Sequence, residues 1–96
     1  MRLAYFEGGT AEQYGALGRA LADAPVPPER RVFVAGPAPG GWQVVQVWDS
    51  KDALDVFNRE WFLPALGRAG SRGFQGAPEV RDFHADDFWI GTERIS

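Results

Sequence analysis

The fold is decided by one stretch of the chain, Arg31-Val32-Phe33-Val34-Ala35-Gly36-Pro37-Ala38-Pro39-Gly40-Gly41-Trp42-Gln43-Val44-Val45-Gln46-Val47-Trp48. Its two ends are rich in β-branched and aromatic residues, and a run of glycine, proline and alanine at 36–41 separates them. Two such runs joined by a short turn are typical of an antiparallel hairpin. The stretch therefore predicts strands over 31–35 and 42–48.

A strand and a helix are expected before this hairpin. Residues 2–7 are partly aromatic and are followed by two glycines, which predicts a strand. Thr10 and Gln13 have the spacing of a capping box, and apolar residues then recur at helical spacing. We expect a helix over 11–23, followed at 24–28 by a stiff connector whose three prolines cannot continue it.

A second helix and a last strand are expected after the hairpin. Asp49 or Ser50 can cap the helix, whose apolar face is marked by Leu54, Phe57, Trp61 and Ala65. Pro64 lies inside this pattern and predicts a kink or a break near Leu63. Four glycines indicate an irregular loop over 67–78, and the last strand is expected over 79–85, followed by an aromatic tail.

The order of elements is β-α-β-β-α-β, which is the pattern of a ferredoxin-like α+β sandwich in a single domain over residues 1–96. The third strand does not alternate cleanly, because Trp42, Val44 and Trp48 fall on one side while Val45 and Val47 fall on the other. Helices cover only one face in this topology. A second copy of the sheet is the simplest cover for the other face and predicts a homodimer; a monomer with an apolar exposed face is the alternative.

Composition and charge exclude several classes of protein. The net charge of −3 argues against a nucleic-acid partner, and the apolar runs are far shorter than the about 20 residues that span a bilayer. The chain has no cysteine, which excludes disulfides, thiol nucleophiles and zinc–thiolate sites. We expect a cytoplasmic protein, since patterned sequence begins at once without a signal-peptide core.

The chain also resembles a known family. The blocks that carry the resemblance are Gly8-Gly9-Thr10-Ala11-Glu12-Gln13-Tyr14, Val34-Ala35-Gly36-Pro37, 41–50 and Leu63-Pro64-Ala65-Leu66. They are similar to small actinobacterial proteins of the antibiotic-biosynthesis-monooxygenase type, in the dimeric α+β barrel superfamily. The resemblance implies that fold and a homodimer, but the superfamily includes monooxygenases, cyclases, isomerases and non-catalytic proteins, so it implies less about activity.

The resemblance also implies roles for particular residues. Quinone-forming relatives place an asparagine and a tryptophan near the substrate, on the helix where Asn58 and Trp61 stand here. Haem-degrading relatives need an axial histidine on a helix and an asparagine on the first strand, and this chain has neither. Many small relatives carry histidine near the positions of Phe33 and Asp86, where this chain has replaced it. No cofactor is expected.

The residues themselves point first to His84 and Asp82. His84 is the only histidine, the side-chain type whose unperturbed pKa lies near neutral pH, and Asp82 is two residues away on the same predicted strand face. A neighbouring carboxylate raises the basicity of an imidazole, which suits a general base. The alternative is an ordinary exposed polar pair. Asp82, His84, Asp86 and Asp87 have no metal-ligand spacing, so no metal site is expected.

Aromatic residues on the second helix are the other candidates. Phe57 and Trp61 would line a cavity between helices and sheet, with Asn58 or Tyr5 as polar contacts to a flat aromatic ligand. Plain core packing is the alternative for such a stripe. The sequence thus predicts His84, Asn58 and Tyr5 as catalytic residues, and Trp61, Phe57 and Asp82 as ligand-binding residues.

Two classes of function follow. The first is a cofactor-independent enzyme of secondary metabolism that acts on an aromatic or polyketide-like small molecule, either with dioxygen as a monooxygenase or without it as a cyclase or isomerase. The second is a small-molecule binding or accessory protein with the same cavity and no turnover.

Overall fold

The computed structural model describes residues 1–95, which form an α+β fold with one main antiparallel sheet. In chain order the elements are β1 (Arg2–Glu7), α1 (Ala11–Ala20), β2 (Arg30–Ala38), β3 (Gly41–Trp48), α2 (Lys51–Phe57), a π-helical turn (Asn58–Phe62), α3 (Leu63–Ala69), a 3-10 turn (Gly70–Arg72), β4 (Glu79–Asp82), β5 (Trp89–Ile90) and β6 (Glu93–Arg94). The main sheet has the strand order β2-β3-β1-β4, and β5 pairs with β6 in a separate short hairpin. This arrangement is consistent with a ferredoxin-like fold.

The hairpin that decides the fold is longer and its turn tighter than the sequence predicts. Strand β2 continues through Pro37 to Ala38, which pairs with Gly41 across the two-residue connection Pro39-Gly40. Proline is tolerated there because β2 lies at the edge of the sheet, where a missing N–H breaks no ladder. The positive φ of Gly40, 75°, after a proline is the pattern of a type II turn.

The first helix begins where it is predicted and ends earlier. Thr10 Oγ1 accepts a hydrogen bond from Gln13 N, and Gln13 Oε1 accepts one from Thr10 N, so both halves of the capping box form. The helix ends at Ala20, three residues before the predicted end, and turns lead from it into the proline connector. Glycines within α1 lower its intrinsic stability, which favours this early end.

The second helical segment bends without stopping. Leu63 donates its backbone N–H to the carbonyl of Asn58, five residues back, in a wide turn just before Pro64. Proline cannot donate a backbone hydrogen bond inside a helix, and the wide turn accommodates that loss. The break predicted near Leu63 is therefore a π-helical turn between α2 and α3.

The two faces of the sheet are covered differently. Ala4, Phe6, Trp42 and Val44 are buried under the helices and form the core, and Trp48 is buried on the same face. The residues that pair across the other face are half-buried or exposed: Leu3, Tyr5, Val32, Val34, Val45 and Val47. We call this second side the open face; its existence was predicted from the strand pattern.

Candidate functional site

A cleft of about 650 Å³ lies at the end of the sheet where β1 begins and β4 ends. It is bounded by these strand ends, by the end of β3, by the start of α2 and by the segment after β4; its lining is Met1, Arg2, Arg31, Val47, Trp48, Asp49, Ser50, Lys51, Leu54, Asp82, Phe83, His84, Ala85, Asp86, Phe88 and Ile95. We call it the end cleft. Two of the sequence-predicted residues, His84 and Asp82, line it.

An ion pair between neighbouring strands lies in this cleft. Arg2 and Asp82 are directly opposite in the β1–β4 register, and Arg2 donates from Nε to Oδ1 and from Nη2 to Oδ2, both at 2.8 Å. These hydrogen bonds from the guanidinium lower the pKa of Asp82 and raise that of Arg2. Asp82 is thus engaged with Arg2, and the predicted pairing of Asp82 with His84 is wrong.

His84 lies outside the strand on which it was predicted. Strand β4 ends at Asp82 instead of Ala85, so His84 belongs to the loop that follows. Its side chain is 89% exposed, and its Nε2 atom is 3.5 Å from Oδ1 of Asp86. The imidazole therefore has a neighbouring carboxylate, but it is that of Asp86, and the pair stands at the mouth of the end cleft in contact with solvent.

The apolar side of the end cleft comes from residues that the sequence analysis placed on one side of a strand, on the apolar face of a helix and in the aromatic tail. Trp48 and Leu54 are buried and line the cleft from β3 and α2, and Phe88 lines it from the chain after β4. Trp48 Nε1 donates a 2.8 Å hydrogen bond to Gln46 Oε1, which fixes its indole ring. The sides of the strand and of the helix on which Trp48 and Leu54 lie were visible in the sequence, but nothing there distinguished cleft lining from core packing.

Phe57 and Trp61 lie in a different depression. Both line a groove of about 460 Å³ between the proline connector and the α2 segment, here called the connector groove; its lining is Pro25, Val26, Pro27, Pro28, Glu29, Asp52, Ala53, Val56, Phe57, Glu60 and Trp61. The ring of Phe57 also contacts that of Trp48, with centroids 5.6 Å apart. The sequence analysis predicted that these two aromatic residues line a cavity between the helices and the sheet. In the structure they line the connector groove instead.

The two other predicted residues, Asn58 and Tyr5, line neither of these depressions. Asn58 is half-buried at the start of the π-helical turn and lines neither the end cleft nor the connector groove. Tyr5 pairs with Gln43 and Glu79 on the open face, and its hydroxyl donates a 2.7 Å hydrogen bond to the carbonyl of Pro39. Within one chain, Tyr5 cannot contact a ligand held beside Trp61 on the helical side.

Aromatic rings fill the space between the helices and the other end of the sheet. Phe74 stacks on Phe6 with ring centroids 4.0 Å apart, and Tyr14 stacks on Trp42 at 5.1 Å. Burial raises the pKa of Tyr14, and the buried Nε1 of Trp42 has no hydrogen-bond partner within residues 1–95. Sequence analysis missed Phe74, because a single aromatic residue in a glycine-rich loop gives no periodic signal.

Ligands for a metal are not gathered in the described part of the chain. Across residues 1–95, no three side chains of histidine, aspartate or glutamate are close enough together to hold a metal ion. None of the helices in the same range is long and apolar enough to cross a membrane.

Searches against protein-family models, curated proteins and solved structures found no match.

Proposed function

We propose that this protein is a cofactor-independent enzyme of secondary metabolism, monooxygenase-like, that acts on an aromatic or polyketide-like small molecule in the end cleft. One observation carries the proposal: a cleft of about 650 Å³ combines an aromatic wall at Trp48 and Phe88 with an imidazole–carboxylate pair at its mouth. Small-molecule sites in proteins typically measure 300–1,000 Å³ and combine apolar walls with a few polar groups.

The groups of the end cleft can remove and return one proton. With Nε2 of His84 next to Asp86, its Nδ1 atom is left to accept a proton from an acidic C–H bond of the substrate. The flat body of an aromatic substrate would pack against Trp48, which is held by Gln46. The Arg2–Asp82 pair braces the strand ends beneath it and is not the base in this scheme.

Dioxygen is the co-reactant of the oxidative reaction. Loss of a proton from a substrate methylene gives a carbanion, which forms a carbon–oxygen bond with dioxygen and becomes a peroxide. The peroxide takes the proton back from the imidazolium and becomes a hydroperoxide. The hydroperoxide loses the second methylene hydrogen together with its outer O–H group as water, which leaves a ketone. The methylene carbon is oxidised, dioxygen is fully reduced, and the imidazole is released unchanged.

We include the dimeric α+β barrel architecture in the proposal. The βαββαβ core of such a barrel would place the open face of one copy against that of a second. Support comes from the apolar residues on that face, where Val34 is 59% exposed and lies opposite Val45 of the neighbouring strand β3. Monomeric proteins rarely expose a contiguous apolar sheet face of this kind. The resemblance to the antibiotic-biosynthesis-monooxygenase type points the same way.

A binding or accessory protein without turnover is the second candidate function. The observation that favours it is the 89% exposure of the His84 side chain, because a base that makes a carbanion works best where water is excluded. A cyclase or isomerase on the same scaffold would use the same proton transfer without dioxygen.

Oxidation of anthrone, a three-ring ketone with an acidic methylene, tests the proposal. We expect the protein to accelerate dioxygen uptake and anthraquinone formation above the spontaneous rate, with one oxygen atom taken from labelled dioxygen. His84→Gln should lower this acceleration about 100-fold or more, whereas Glu12→Gln on the surface of α1 should not change it. Binding of anthrone without acceleration would favour the accessory protein, and absence of both would overturn the assignment of the end cleft.

A further inference from the structure

The connector groove has a charge pattern of its own. Three carboxylates line it, those of Glu29, Asp52 and Glu60, and no lysine or arginine of the described residues does. Every other residue of its lining is apolar, including Trp61 and Phe57. The groove therefore combines an apolar floor with a rim of one charge sign.

The carboxylates of this rim are largely unneutralised. Within residues 1–95 neither Glu29 nor Asp52 forms an ion pair, and Lys51, the only lysine in the sequence, is bound to Asp55 at 2.9 Å. Glu60 has only a 3.9 Å contact with Arg59, and both side chains are more than half exposed. Exposed contacts of this length contribute little, so Arg59 does little to offset the charge of Glu60.

Hydrogen bonds hold both walls of the groove in place. Asp49 donates its N–H to the carbonyl of Glu29 at 2.9 Å, and the next residue, Ser50, caps α2 by accepting from Ala53 N at 3.2 Å. Arg30 donates its N–H to the carbonyl of Pro27 at 3.1 Å, which turns the connector into β2. The prolines fix the rest of the connector. A wall that is already ordered lowers the entropy cost of binding a ligand.

Apolar side chains remain exposed along this groove. Val26 is 76% exposed and Val56 is 41% exposed, one on each wall, and Trp61, half-buried in the π-helical turn, also lines the groove. An exposed apolar strip with a charged rim is typical of a binding surface. Its volume of about 460 Å³ falls within the range of small-molecule sites.

We propose that the connector groove binds a small organic cation, namely an ammonium group carried on an aromatic or alkyl body. The carboxylates of Glu29, Asp52 and Glu60 attract the ammonium group, and the indole of Trp61 receives it by a cation–π contact or packs against the apolar body. None of the residues that line this groove lines the end cleft, so the site is independent of the proposed enzymatic function.

Three probes of one shape and different charge test this proposal: 4-phenylbutylammonium, 4-phenylbutanol and 4-phenylbutyrate. We expect the ammonium to bind about three- to tenfold more tightly than the alcohol, and the carboxylate to bind most weakly. Binding is followed by NMR through the indole N–H signals of the four tryptophans. Trp61→Leu identifies the signal of Trp61, which should shift with the ammonium while that of the buried Trp42 does not.

A charge-matched pair of triple variants makes the test specific. Glu29→Gln, Asp52→Asn and Glu60→Gln together should abolish the preference for the ammonium over the alcohol. Glu7→Gln, Glu12→Gln and Asp23→Asn together change the net charge equally at exposed sites outside the groove and should preserve it. Thermal unfolding of each variant verifies that it is folded.

The outcomes separate clearly. A preference that is lost only in the groove variant, with shifts centred on Trp61, supports the site. Equal binding of ammonium and alcohol, loss of the preference in both triple variants, or shifts centred on another tryptophan would each overturn it. Binding of a basic peptide in the absence of any binding of the free ammonium would also overturn it, since the partner would then be a protein.

Discussion

The guanidinium of Arg2 donates two parallel hydrogen bonds of 2.8 Å to the carboxylate of Asp82, joining the start of β1 to the end of β4. The side chain of Arg2 is only 16% exposed, so this charge depends on its partner. The bidentate geometry is the strong form of an arginine–carboxylate pair. The pair joins the two strand ends that line the end cleft, so the stability of this end of the sheet depends on the ionisation of Asp82.

Asp82→Asn should therefore destabilise the protein, and the effect should depend on pH. The pKa of Asp82 is lowered in the folded protein, so its stabilising contribution is present above the unfolded pKa, near pH 4, and is lost as the pH falls through the folded value. We expect a loss of about 1 kcal/mol in the free energy of unfolding at pH 7. Urea denaturation at a series of pH values measures it.

The matched control is Asp23→Asn, at an exposed aspartate that has no ion pair within residues 1–95. This variant should differ little from the wild type at any pH. The difference between Asp82→Asn and wild type should shrink as the pH is lowered below about 4. A difference that stays constant across the whole pH range would mean that packing of Asp82, and not its charge, stabilises the strand pair.

Local signals in the sequence predicted much of this fold. The capping box of Thr10 and Gln13 forms with both hydrogen bonds, and Ser50 caps α2 as one of the two residues proposed. The period of two along β3 placed Trp42 and Trp48 on one side of the strand, and the structure shows that this side is the buried one. In each case the informative residues are neighbours in the chain, so that their spacing alone fixes the geometry.

The site could not be predicted in the same way, because its contacts join distant parts of the chain. Arg2 and Asp82 are 80 positions apart, and their register depends on how β4 pairs with β1. Strand β4 ends at Asp82, and His84 lies in the loop that follows, beside Asp86. Phe74 reaches the space under the helices from an irregular loop, where the sequence has no hydrophobic periodicity that would indicate a packed position.

Gly9→Ala should strongly destabilise the core. A methyl group at this position would lie 2.9 Å from the carbonyl oxygen of Phe6, from a ring carbon of Phe74 and from Cβ of Trp42. The backbone of Gly9 has no positive φ, so the cost is steric, and overpacking of this kind costs about 1–3 kcal/mol. Thermal or urea unfolding measures the change.

Gly18→Ala is the control for this prediction. Gly18 lies within α1, and a Cβ atom there would meet nothing within 4 Å. The substitution should stabilise the protein by up to about 1 kcal/mol through helix propensity. If Gly9→Ala were tolerated as well as Gly18→Ala, the close packing of Phe6, Phe74 and Trp42 around Gly9 would be wrong.

Tyr5→Phe should lower stability without changing ligand binding in the end cleft. The hydroxyl of Tyr5 donates a 2.7 Å hydrogen bond to the carbonyl of Pro39 at the hairpin turn, and its loss costs about 0.5–1.5 kcal/mol. Urea unfolding measures this cost, and anthrone titration measures binding. A loss of anthrone oxidation in Tyr5→Phe comparable to that in His84→Gln would restore Tyr5 to the catalytic role that its sequence position first indicated.

Val34→Glu should dissociate the proposed homodimer. Val34 is 59% exposed on the open face, where it lies opposite Val45 in the β2–β3 register, and a carboxylate buried between two packed sheets would be unpaired. We expect sedimentation to give a dimer for the wild type at micromolar concentration and a folded monomer for the variant. Val26→Glu introduces the same charge at a valine that is 76% exposed in the connector, away from the sheet, and should remain dimeric. A monomeric wild type would contradict pairing of the open faces, because the apolar face would then be stable in contact with water. A Val34→Glu variant that stays dimeric would contradict it too, because the interface would then lie elsewhere.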